Sequence, residues 1–287
     1  MGVLSTIDGL RSRPMQGLIT AADVVLRPDD VLQGLGQVGA GARPIVIQGG
    51  LSTDAYLYDP LADILRTRGF ADVSATHLDF HGLASFQRDA KNLAGMVESA
   101  AGRSRAAGGD GKVTVLAHSK GGETARWYLQ RLGGVEHVDQ LVTMGTPHHG
   151  AAPFGTRAAA LMGYLPGSPG LRQLSPRSAE VRALNADLPE FMAQARAVHP
   201  EFRIVSVAGD IDLPLLRGTD GLVANSASRL DDRIAGLHNL VFRGRGAHHG
   251  AIVAQYGVHE PSVRAAAVLA ARGSIDDAAG GAAILAR

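Results

Sequence analysis

Apolar and polar positions along the chain fall into two alternating rhythms. Short runs dense in β-branched and other apolar residues predict strands at 44–48, 73–79, 112–117, 139–145, 202–208 and 239–243. Between them, apolar positions recurring every three or four residues predict helices at 56–68, 86–101, 120–132 and 251–271. Such strand–helix alternation calls for an α/β domain: a mostly parallel sheet with helices on both faces and right-handed crossovers. Sites in sheets of this kind lie at the carboxyl ends of the strands.

One interval breaks the rhythm. Between strands 139–145 and 202–208 come Phe154, Leu161, Met162, Tyr164 and Leu165, then Pro, Gly and Ser punctuation, then an apolar pattern from Leu174 to Leu188. A connection this long is usually functional, and an apolar one reads as a lid or cap over about 151–198. The expected organisation is a helical extension at 1–42, a main domain at 43–271 and a Gly/Ala-rich, frayed tail at 272–287. Within the extension, Leu18 to Leu26 and Val31 to Val38 read as short amphipathic helices. Gly34-Leu35-Gly36-Gln37-Val38-Gly39 matches the dinucleotide fingerprint, but that fingerprint needs a strand ahead of it, and here strand 44–48 follows. The glycines read as a flexible lead-in.

Composition narrows the functional classes. At 287 residues and 45% apolar, the chain suffices for one large domain. A net charge of +1, with no Lys/Arg run interleaved with aromatics, gives no footprint for nucleic acid. The absence of cysteine excludes disulfides, metal thiolates and cysteine nucleophiles. The N-terminus has no basic segment followed by an apolar core. No window approaches the roughly 18 apolar residues a membrane span needs. The expectation is a soluble, cytoplasmic protein with no transmembrane segment and at most transient contact with a lipid interface.

The chemistry concentrates where strand 112–117 ends. Ala117-His118-Ser119-Lys120-Gly121-Gly122 places a serine between small residues at the turn from strand into helix, the pattern of a nucleophile elbow. Ala117 and Gly121 are expected to come close together across that turn, where a larger Cβ would clash. The helix N-terminus beyond Ser119 favours a developing oxyanion. A serine hydroxyl needs a base within reach and a carboxylate to orient that base. In this architecture the order is Ser, then acid, then His.

For the acid, Asp220 in an Asp-Gly turn after strand 202–208 is favoured over Asp210 and Asp212, which read as solvated turn residues. For the base, strand 239–243 leads into Gly246-Ala247-His248-His249, and His249 is chosen with His248 as the alternative. The oxyanion hole needs two backbone donors: Lys120 is one, and Gly50, with Leu51 as the alternative, is the other. His118 is expected to pack under the sheet edge, and His148 and His149 to line the pocket. His77, Asp79 and His81 could pass for metal ligands, but no further clustered ligands support a metal.

These residues add up to a resemblance. From about residue 43 to 256 the chain resembles bacterial α/β-hydrolases of the lipase/esterase type. The elbow is similar to that of small Bacillus-type lipases. Gly145-Thr146-Pro147-His148-His149-Gly150 resembles the Gly-Thr-Pro-His-x-Gly loop of bacterial triacylglycerol lipases. Asp220-Gly221-Leu222-Val223 resembles their acid segment, Gly246-Ala247-His248-His249 their Gly-x-x-His, and Leu174 to Ser178 with Leu184-Asn185 their cap. Gln48-Gly49 departs from the His-Gly these lipases commonly carry. The resemblance implies an α/β-hydrolase fold and cleavage of lipophilic small-molecule or lipid esters through an acyl-enzyme, with no cofactor and no metal. Two alternatives stay open: a thioesterase, lactonase, amidase or acyltransferase on the same triad, and a non-catalytic binding protein on the same fold.

Overall fold

The computed structural model describes residues 42–67, 69–151, 168–211, 218–243 and 247–253. All but the last residue of the extension expected at 1–42, most of the helix expected at 251–271, the tail and the first part of the expected cap lie outside these residues.

Six strands form one sheet: β1 (Ile45–Gln48), β2 (Val73–Thr76), β3 (Val113–His118), β4 (Val138–Met144), β5 (Arg203–Asp210) and β6 (Leu237–Arg243). Their order is β2-β1-β3-β4-β5-β6, and every neighbouring pair is parallel. From β1 the chain steps outward to β2, then crosses back to β3 on β1's other side. The direction of winding therefore reverses between β1 and β3. That reversal leaves a crevice at their carboxyl ends, the place where such sheets bind ligands.

Parallel pairing requires crossovers, and helices supply them. These are α1 (Asp59–Thr67), α2 (Phe86–Ala106), α3 (Lys120–Arg131), α4 (Pro169–Gln173), α5 (Ala179–Ala186), α6 (Leu188–Val198) and α7 (Asn225–Ser228). The sequence marks several of their starts with serine caps. Ser85, Ser168 and Ser178 each accept a hydrogen bond from the N–H three residues on.

Strand alternation divides the core in two. Ile45, Ile47, Leu116, Val142, Met144, Val205 and Val207 face α1 and the segment Ala247–Val253. Val46, Val113, Val115, Leu141 and Ile204 face α2, α3 and α6. Burial on both faces explains why these strands read as unbroken apolar runs. A third cluster joins Phe86 and Ala151 to Leu171, Leu174 and Val181 of the cap segment. Helix α6, expected from sequence to belong to the cap, instead packs Leu188, Met192 and Ala195 into the main core.

A polar cluster lies within this packing. Glu123 and Arg126 of α3 and His148 after β4 are all fully buried. Arg126 donates to Leu184 O (2.8 Å) and to Asn185 Oδ1 (3.0 Å), and Asn185 donates back to His148 O (2.8 Å). His148 Nδ1 lies 3.3 Å from Arg126 and 3.5 Å from Glu123 Oε1, and its Nε2 lies 2.9 Å from Thr143 Oγ1. His148 is thus a neutral hinge pin between sheet, elbow helix and cap segment, not a pocket-lining residue. Burial pushes its pKa down to about 4. The unfolded chain binds that proton first, so stability is present above about pH 6.5 and is lost as pH falls toward 4. Chemical denaturation across that window is expected to show His148→Gln less pH-dependent than wild type, by on the order of 3 kcal/mol.

Candidate active site

Strand β3 runs into helix α3 with one residue between them, Ser119, at φ 53° and ψ −129°. A side chain at positive φ costs about 1–3 kcal/mol and persists only where its surroundings over-determine it. Here the Ser119 N–H donates to Met144 O (2.9 Å), and Ser119 O accepts from the Gly122 N–H (3.0 Å). The two glycines that follow are close-packed. A Cβ at Gly121 would collide with Gly49 O and lie 2.8 Å from Gln48 O, and one at Gly122 would collide with Thr146. Gly121 therefore owes its smallness first to the end of β1, and not to Ala117 as expected from sequence.

The main chain after β1 continues past the serine. A Cβ on Gly50 would stand 2.8 Å from Ser119 Cβ, so only glycine lets the two segments meet. The Gly50 N–H, expected as the second oxyanion donor, is already engaged: it donates to Tyr58 Oη at 2.9 Å. A buried amide with a hydroxyl acceptor in place is not free for a substrate oxygen. The neighbouring Leu51 N–H, the alternative in the sequence, meets no acceptor among the described residues. The same holds for Lys120 N–H, which opens α3 and so has no intrahelical partner.

Asp220 and His249 come from separate loops, after β5 and β6, and are bonded twice. His249 Nδ1 lies 2.7 Å from Asp220 Oδ2, and the His249 N–H donates to Asp220 O at 2.9 Å. The carboxylate's other oxygen accepts from the Leu222 N–H (2.9 Å) and the Val223 N–H (2.7 Å), as an Asp-Gly turn permits. Asp220 is 2% exposed and His249 9%, so the pair is well shielded from water. An acceptor carboxylate at Nδ1 places the imidazole's proton there and leaves Nε2 as a lone pair. Of the two adjacent histidines, His249 is the one that meets the acid. Gly209 makes the junction possible, since a Cβ there would strike Ala247 O and stand 2.9 Å from Asp220 Cβ.

Ser119 and this pair lie on one edge of the sheet. His118, next to the serine, contacts His249 O through Nε2 at 3.0 Å, and the two imidazoles lie tilted at 45° with centroids 4.7 Å apart. Gly145, next to the Met144 carbonyl that holds the serine's amide, borders the acid–base pair.

The remaining candidates have structural partners. Asp210 Oδ1 accepts from the Gly218 N–H at 2.9 Å and braces the loop after β5, while Asp212 lies outside the described residues. His149 is exposed and bonds Arg229 O. Asp79 pairs with Arg88 at 2.6 Å. Among the described residues no group of three His, Cys, Asp or Glu could hold a metal ion.

Two features escaped sequence reasoning. The Lys120 side chain is fully buried against Asp89 Oδ2 (2.5 Å) and Ala84 O (2.9 Å), tying the elbow to α2. Burial lowers the Lys120 pKa and raises that of Asp89, so each ion depends on the other. A signal existed: Asp89 falls on the apolar stripe of Phe86, Ala90, Leu93 and Val97, where a carboxylate needs a buried cation. Tyr58 had no signal, because only tertiary structure brings it under the elbow.

The alpha/beta hydrolase fold family matches residues 43–196, more than half of the chain, and the protein belongs to that family. Solved structures of similar architecture are lipases, esterases and related proteins. Aspergillus fumigatus lipase B superposes with a TM-score of 0.62 at 18% identity, over 92% of this chain and 62% of that one. Legionella pneumophila phospholipase PlaB gives 0.51 at 15% identity, over 65% and 45%. The product of lin2722 from Listeria innocua gives 0.50 at 17% identity, over 75% and 90%. No curated protein matches the chain. At such identities the likeness is one of fold.

Gly145, at φ 59°, leaves room for a Cβ only 2.9 Å from Asp220 Oδ2 and 3.0 Å from His249 Nδ1. Gly145→Ala should therefore part the two groups. The low-field NMR signal of the His249 Nδ1 proton, present in wild type, is expected to vanish in the variant while circular dichroism stays native.

Proposed function

We propose that this chain is a serine carboxylic-ester hydrolase of the lipase/esterase kind. The observation that carries the reading is the 2.7 Å Asp220–His249 bond, whose histidine meets His118, the residue before a serine in a strained strand-to-helix turn. Backbone strain is costly, and its place at the junction of β3 and α3, beside the acid–base pair, supports a chemical role for this serine.

In this reading the lone pair on His249 Nε2 takes the proton of the Ser119 hydroxyl as its oxygen attacks the ester carbonyl. Asp220, doubly fixed by its turn, holds the imidazole's tautomer and stabilises the imidazolium. The Lys120 and Leu51 amides receive the tetrahedral oxyanion. His249 then protonates the leaving alcohol, and water repeats the sequence on the acyl-enzyme, returning the proton to Ser119 and releasing the acid. The buried Lys120–Asp89 ion pair supports the first donor, because it anchors the residue whose amide turns toward the substrate.

The substrate class is a lipophilic ester. Support comes from Leu51, which follows β1, stays half-buried, and packs against the buried cluster of Phe86, Ala151, Leu171, Leu174 and Val181, giving the surface beside the proposed oxyanion donor an apolar character. Two of the structural neighbours are a lipase and a phospholipase.

A fluorophosphonate probe is expected to label wild type and not Ser119→Ala. An unlabelled wild type would overturn the enzyme reading. His249→Ala should lose on the order of 10⁴-fold or more in kcat, and His248→Ala far less. Across p-nitrophenyl esters from acetate to palmitate, turnover should favour the medium and long chains. Dominance of acetate, with a triglyceride emulsion untouched, would reduce the assignment to a short-chain esterase.

A further inference from the structure

Beneath the proposed nucleophile lies a run of buried hydrogen bonds that none of the chemical steps above uses. His118 is 2% exposed and Tyr58 is fully buried. His118 Nε2 lies 3.0 Å from His249 O, an atom that only accepts, so His118 carries its proton on Nε2. Its Nδ1, 2.9 Å from Tyr58 Oη, is then a lone pair. Tyr58 Oη also lies 3.0 Å from Thr53 Oγ1, but it has one proton, and the imidazole nitrogen is the stronger base. The Tyr58 oxygen in turn accepts the Gly50 N–H at 2.9 Å, and Thr53 Oγ1 donates to Gly50 O at 2.8 Å. The donors therefore all point one way: Gly50 N–H to Tyr58, Tyr58 O–H to His118, His118 Nε2–H to His249 O. Chains of this kind polarise one another and gain strength in a low-dielectric interior.

We infer that His118 is a positioning residue that sets the gap between the oxyanion loop and the base, by holding Gly50 through Tyr58 with one ring nitrogen and His249 O with the other. The inference rests on the hydrolase reading for its catalytic consequence, although the tie itself is independent of it. The imidazole sits on the last residue of β3, directly before the nucleophile, so both loops are measured from the serine's own strand. Its rigidity is what qualifies it: a planar ring with two nitrogens at fixed separation spans the loops as a spacer of set length. Burial, with the nearby His249 adding to it, drives its pKa well below the ordinary value, so the donor–acceptor sense holds across the neutral range. Fixing Gly50 also fixes the next residue, Leu51, whose amide meets no acceptor among the described residues. A misplacement of about 1 Å in such a constellation can cost on the order of 10²-fold in rate.

The two halves of the tie separate cleanly by substitution. In His118→Asn the amide oxygen replaces Nδ1 as acceptor for Tyr58, and the donor to His249 O is lost. In His118→Gln the amide nitrogen replaces Nε2 as donor, and the acceptor for Tyr58 is lost. Tyr58→Phe severs the same link as His118→Gln, so combining those two should add little beyond either alone. The measurements are kcat and KM on a p-nitrophenyl ester, with amide hydrogen exchange read by mass spectrometry over 48–53 and 247–253. Each single variant is expected to lose on the order of 10–10²-fold in kcat with KM nearly unchanged. His118→Gln and Tyr58→Phe should speed exchange in 48–53, and His118→Asn in 247–253. Wild-type kcat and exchange in both His118 variants would overturn the inference. So would faster exchange spread evenly over the whole chain, which marks a core histidine and nothing more. If wild type turns over no ester and takes no fluorophosphonate, the hydrolase reading falls instead, and the exchange pattern alone decides whether the tie exists.

Discussion

The main-chain oxygens that end β1 press against Gly121 so closely that no side chain fits between them. That contact holds the first turn of α3 against the neighbouring strand and leaves Ser119 nowhere to go but a positive φ. It also brings Gly50 alongside the serine, where its own lack of a side chain is equally required. Three bare positions, Gly50, Gly121 and Gly122, thus set the geometry that every proposed catalytic role assumes. Packing contributes the rest: with apolar helices on both faces of the sheet, the strained turn is one small cost within a large favourable burial.

A second layer of organisation is polar and wholly interior. Lys120 with Asp89, and Arg126 with Glu123 and His148, sit within helix α3 or against it, on either side of the elbow. Buried ions add little net stability compared with apolar residues of the same shape. What they do is discriminate, since losing either partner strands a charge in a dry medium. Such pairs enforce one arrangement of α2, α3, the loop after β4 and α5, and so one placement of the helix end beside Ser119.

Much of this was legible in the chain. All six strands were located to within a few residues, because burial on both faces writes strands as unbroken apolar runs. The strained turn at Ser119 and the meeting of Asp220 with His249 were legible because each residue sits at a turn with its own signature: small–His–Ser–x–Gly, Asp–Gly, and glycine ahead of a histidine pair. What could not be read depended on atoms far apart in sequence. Gly50 was preferred to Leu51 on the strength of glycine's reach, but Tyr58, eight residues on, claims its amide. His148 looked like a pocket residue because of its motif, whereas Arg126 and Thr143 hold it in the core. Helix α6 lies in the interval read as a cap, and only its burial in the main core distinguishes it.

The double fastening of His249 to Asp220, once through side chains and once through backbone, has a mechanical corollary. Thermal excursions of either loop carry both residues together, as two links riveted into a single lever. Drift of that lever moves the imidazole relative to Ser119 while its bond to the carboxylate stays intact.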